Sequence, residues 1–76
     1  MIKRSNHVVP SDKSGGWAVK KSGDTDISKS FDRKEDAVKY GRELSKKEET
    51  ELYVHKRDGL IQLRNSYSKK TYSHQN

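Results

Sequence analysis

Residues 32–64, DRKEDAVKYGRELSKKEETELYVHKRDGLIQLR, decide the fold, because their apolar residues change period partway along. Ala37, Gly41 and Leu44 recur at spacings of four and three, with Val38 and Tyr40 flanking them, which traces one narrow apolar stripe along a helix. Asp32 stands where an N-cap accepts backbone N–H groups, Glu35 completes a capping-box pattern, and Asp36 adds negative charge at the positive end of the helix dipole. Lys46 and Lys47 mark the other end. Beyond Glu48-Glu49-Thr50 the period falls to two: Leu52 and Val54 alternate with Tyr53 and His55, as in a strand with one buried face. Arg57-Asp58-Gly59 predicts a hairpin, since Asp-Gly tolerates the positive φ angles of a type I′ turn. Leu60 to Arg64 is the return strand, with Ile61 and Leu63 expected inward and Gln62 and Arg64 outward.

Upstream of the helix the pattern is also period two. His7-Val8-Val9 is β-prone and ends at Pro10, and a turn-rich stretch, Ser11 to Gly16, separates it from Trp17-Ala18-Val19-Lys20-Lys21. Trp17 and Val19 share one face of that strand. After the Ser22-Gly23-Asp24 turn, Ile27 to Phe31 alternates again, with Ile27, Lys29 and Phe31 expected on one side. The expectation is an α+β domain, one small sheet in β-β-β-α-β-β order with a single helix packed on one face. Residues 1–6 read as a flexible lead-in, 7–67 as the domain, and 68–76 as a disordered basic tail.

Composition narrows the function. The chain has 76 residues, 17 Lys and Arg against 11 Asp and Glu, and no Cys. A chain of this length makes one domain, and without Cys there is no disulfide framework, thiolate metal site or Cys nucleophile. No apolar run approaches the roughly 20 residues that span a bilayer, and no signal segment opens the chain, so a cytoplasmic, soluble protein is expected. Residues 1–21 carry five bases and one acid, as do residues 52–76, whereas 22–51 carry seven bases and nine acids. The basic excess therefore lies at both ends, where it can form a cationic surface for a polyanion or an acidic partner.

The segments HVVP (7–10), GWAVK (16–20) and ELYVHKRDGLIQLRNSY (51–67), with the helix start at Phe31-Asp32, resemble a family of small bacterial domains of unknown function. The resemblance covers about residues 7–67. It implies a small α+β fold and carries no established activity. The strands at Gly16-Trp17-Ala18-Val19 and Ser28-Lys29-Ser30-Phe31, followed by the acidic cap Asp32, are also similar to the three-strand-plus-helix modules of phage-type integrases and plant transcription factors, whose sheet reads DNA. The C-terminal hairpin departs from that pattern, and it can cover the very face that would read DNA.

His7, His55 and His74 lack metal-ligand spacing, and Gly15-Gly16 lacks the remainder of a phosphate-binding fingerprint, so neither a metal, a cofactor nor an enzyme is expected. His7, His55 and Asp58 form a small polar site only if the fold brings them together. The basic and polar side chains Lys20, Lys21, Lys56, Arg57, Gln62, Arg64, Asn65, Tyr67, Lys69 and Lys70 are the candidate nucleic-acid contacts, with Tyr53, Tyr67 and Tyr72 able to stack on bases. The expected function is non-catalytic nucleic-acid binding through the basic termini and the hairpin. The alternative is a protein-interaction module, an adaptor or inhibitor of host or mobile-element origin, docking on an acidic partner. An exposed strand edge also allows a homodimer.

Overall fold

The computed structural model describes residues 5–11, 15–23 and 27–67. Its elements are β1 (Asn6–Pro10), β2 (Trp17–Lys21), β3 (Ile27–Phe31), α1 (Lys34–Glu48), β4 (Glu51–His55) and β5 (Ile61–Ser66). They build the expected α+β domain, one five-stranded sheet in the order β3-β2-β1-β4-β5 with one helix on one face. The N-terminal three strands form an antiparallel meander, and β4 and β5 form an antiparallel hairpin. The two units join through a parallel ladder of β1 on β4, which sets His7 against Tyr53 and Val8 against Val54.

Alternation along β1, β2 and β4 then assigns their side chains to faces. Val8, Trp17, Val19, Leu52 and Val54 lie on the helix side, and with Ala37 they form the core; Val8, Val19, Ala37 and Leu52 are fully buried. The helix contributes Ala37, Gly41 and Ser45, a straight row at spacing four, so Leu44 is left only half-buried. Gly41 is where helix and sheet come closest: a Cβ there would stand 2.9 Å from Leu52 Cδ1 and 3.2 Å from Val8 Cγ2. Asn6, expected in the lead-in, is the buried first residue of β1, and its Nδ2 donates to Ser45 Oγ at 3.0 Å.

The helix begins one residue later than its acidic signal suggests. Arg33, extended at φ −115° and ψ 143°, is the N-cap and makes no side-chain cap bond, so Asp32 is not the cap. Glu35 and Asp36 still place negative charge in the first turn, and Lys46 and Lys47 positive charge in the last. At the C-terminus Glu49 adopts φ 55°, with Glu49 N–H donating to the Lys46 carbonyl and Thr50 N–H to the Ser45 carbonyl, a Schellman closure that turns the chain into β4.

The hairpin differs from a type I′ turn. Lys56 N–H donates to Leu60 O at 2.7 Å and Gly59 N–H to Lys56 O at 2.8 Å, with positive φ at Gly59 and not at Asp58. That is a three-residue loop closed by a glycine bulge. A second bulge in the β4–β5 ladder pairs Val54 with Leu63 and His55 with Ile61. It leaves Gln62 as the extra residue and splits Ile61 from Leu63, so the two do not share an inward face. Both are exposed, at 56% and 43%, and Leu60 in the loop is exposed at 62%.

Among the described residues no helix is long and apolar enough to cross a membrane.

Candidate nucleic-acid interface

The helix covers one side of the sheet, and the other side carries the polar side chains that register places together. His7 on β1 lies opposite Lys20 on β2 and Tyr53 on β4, and Tyr53 lies opposite Arg64 on β5. His55, two residues beyond Tyr53, joins them. Four adjacent strands thus present one row of His, Lys, Tyr and Arg side chains.

The two histidines are in direct contact. His7 Nδ1 is 3.0 Å from His55 Nε2, and His55 Nδ1 is 3.0 Å from the Gly59 carbonyl oxygen. A carbonyl only accepts, so His55 carries its proton on Nδ1 and its Nε2 accepts from His7 Nδ1–H. The relay runs from the hairpin loop to His7 and leaves His7 Nε2 as its terminal acceptor. His7 also borders a cleft of about 330 Å³ with Val9, Lys20, Lys21, Ser22, Gly23 and His55. Burial, then the neighbouring His55 and Lys20, lower the His7 pKa from its ordinary value, so the imidazole is neutral at pH 7. Asp58 does not join this pair; its Oδ1 accepts from Leu60 N–H at 3.0 Å and serves the turn.

Beside the histidines, Tyr53 lies in a layer of stacked groups. The His7 ring is stacked on it at 5.0 Å and 15°, and the Arg64 guanidinium is 5.9 Å from its centroid. Glu51 accepts from Tyr53 Oη at 2.7 Å and from Arg64 Nη2 at 2.9 Å. The bonds to Arg64 and Tyr53 lower the Glu51 pKa, and the same carboxylate raises that of Tyr53. Arg64 keeps further N–H donors, since guanidinium has five.

The other expected contacts are distributed differently. Lys56 is exposed at the hairpin loop. Lys21 faces the helix and holds Glu48 at 2.5 and 2.7 Å, with Asn6 Oδ1 at 3.1 Å, so it joins β2 to the end of α1. Burial pushes the Glu48 pKa up, but the hydrogen bonds from Lys21 and Asn6 outweigh it and the net direction is down. Arg57 packs on Trp17, 4.5 Å from the ring centroid, and donates to Gly15 O at 2.8 Å. Lys34 lies over the same ring at 4.9 Å and donates to Gln62 Oε1. Asn65 is half-buried, and Tyr67 packs against the core with Lys46 5.9 Å from its ring. Lys69, Lys70 and Tyr72 lie outside the described residues, as do residues 1–4 and 68–76.

The residues that sequence reading missed are Asn6, Ser45 and Glu48, whose polar cluster consumes Lys21. The alternation of Asn6 with Val8 was the available signal for the first of them. Among the described residues no group of three or more His, Cys, Asp or Glu side chains is placed to hold a metal ion. The hairpin extends the sheet in its own plane and leaves the open face uncovered.

No solved structure matches the chain. It is similar to the uncharacterized protein YdaT of Bacillus subtilis (strain 168), at 34% identity over 62 residues, which is 82% of this chain and 40% of that protein. The chain therefore spans less than half the length of that relative. Residues 6–67, from the first residue of β1 to the tyrosine after β5, match the family of uncharacterized proteins conserved in bacteria called DUF2188, and the chain belongs to it.

Proposed function

We propose that this chain is a non-catalytic module that binds double-stranded nucleic acid by laying the open face of its sheet on the phosphates. The observation that carries the reading is the row of His7, Lys20, Tyr53 and Arg64 on a sheet face that the helix leaves bare. Two physical arguments sharpen it. The Tyr53 ring already carries stacked His7 on one face and has Arg64 5.9 Å from its centroid, so less of it is open to an unpaired base, which favours duplex over single strand. Five strands at about 4.8 Å spacing span roughly 19 Å, wider than the ~12 Å major groove, so the face rests across phosphates instead of reading base edges. Weak sequence preference follows.

The test is binding to fluorescent duplex and single-stranded DNA at about 50 and 200 mM salt. Three cations, half-buried Lys20 and exposed Lys56 and Arg64, give a slope of log K on log salt near −2.7, about a 40-fold loss over that range. The Lys20→Ala/Arg64→Ala variant lowers duplex affinity and flattens the slope. Absence of duplex binding at the lower salt, or tighter binding to single strands, would overturn the reading. A second reading, docking of a protein partner, is favoured by a separate observation: Leu60, Ile61 and Leu63 are the exposed large hydrophobic residues among those described, and all lie on one hairpin.

A further inference from the structure

On the helix side, α1 packs over β1, β2, β3 and β4, while β5 extends beyond it as the edge of the sheet. Between α1 and β5 this leaves a groove of about 690 Å³. Val38, Val54 and Leu63 supply its apolar floor. Its rim carries Lys34, Lys39, Arg42 and Lys46 against Glu35 and Glu43. Glu35 is held by Arg33 at 3.2 Å, so the cationic excess of the rim is larger than that count. Along the groove runs the outer edge of β5, where no described strand pairs.

We infer that this groove and edge take an extended acidic segment of a partner protein, added as a strand beside β5. Alternating side chains of such a strand point to one face. The apolar ones seat over Leu63 and Val54, and the acidic ones reach Lys39, Arg42 and Lys46, while main-chain hydrogen bonds to β5 supply affinity. Charge selects this occupant over a second copy of the chain, because two copies would bring like-charged rims together. The inference gives the protein-docking reading its partner class. Its residues lie across the sheet from those of the duplex reading, so each can fail without the other.

The probe is a labelled ten-residue peptide of alternating Val and Glu, compared with its Val-Lys counterpart and with a scrambled Glu-rich peptide, on the full chain at about 100 mM salt. The expected result is saturable binding of the Val-Glu peptide, with amide shifts along Ile61–Ser66 and methyl shifts at Val38, Val54 and Leu63. Leu63→Ser weakens it about tenfold without lowering the thermal midpoint, and Lys39→Glu/Arg42→Glu transfers preference to the Val-Lys peptide. Equal binding of the three peptides, shifts confined to the open face, or loss of the groove signals to self-association in sedimentation would overturn the inference. Failure of the peptide with duplex binding intact removes this inference alone.

Discussion

The two halves of the helix-side face are built from similar residues and end in different states. Under α1, Val8, Val19 and Leu52 are fully buried, whereas on the edge strand β5 Leu63 is 43% exposed. The difference is coverage: a 15-residue helix lies over four strands, and the fifth stays at the edge. Burial under α1 holds the fold together. The apolar side chains of β5 add little to that, which leaves them open to association.

Truncation breaks this contrast most directly. Leu52→Ala removes a fully buried side chain against Gly41 and costs about 3 kcal/mol, while Leu63→Ala costs about 0.5 kcal/mol or less. Urea unfolding of both variants measures the gap, and equal losses would show that β5 is part of the core. Next in size is Asn6→Ala, which strands buried Ser45 and loosens Lys21 from Glu48, at about 2 kcal/mol in the same assay. Arg57→Ala strips one cation from Trp17 and frees the hairpin loop from Gly15, for about 1 kcal/mol, seen as a lower thermal midpoint.

Acid gives the smallest effects and separates the two faces by pH window. The folded pKa of His7 lies below its ordinary 6.5, so the unfolded chain takes up the proton first. Stability falls as pH drops from about 6.5 toward the folded value, and His7→Gln removes that slope. Glu48 has a folded pKa below its ordinary 4.5. Its contribution is present above that value and is lost as pH falls through the folded one, a loss absent in Glu48→Gln. Unfolding free energies measured from pH 7.5 to 3 resolve both.

Much of this architecture is legible in local sequence, because the strands and the helix announce themselves by period. β3 spans Ile27–Phe31 and β4 reaches His55, where alternation put them. The parallel ladder of β1 on β4 is not legible: those strands lie about 45 residues apart, and no short-range signal selects the pair. Yet that ladder alone brings His7 to His55. The bulge at Gln62 was hidden for another reason, since alternation of Ile61 and Leu63 suits a regular strand equally well, and only the ladder shows the slip. Charge patterning found the basic ends but could not show that Lys21, Arg57 and Arg64 have internal partners, which tertiary contacts decide.

The most direct measurement follows backbone amides and methyls of the intact chain by NMR while a short DNA duplex is added at about 50 mM salt. Shifts concentrated at His7, Lys20, Tyr53, His55 and Arg64, with Val38 and Leu63 unmoved, are the predicted result. Shifts centred on the groove between α1 and β5, or none on the open face, would contradict the assignment of duplex binding to the bare side of the sheet.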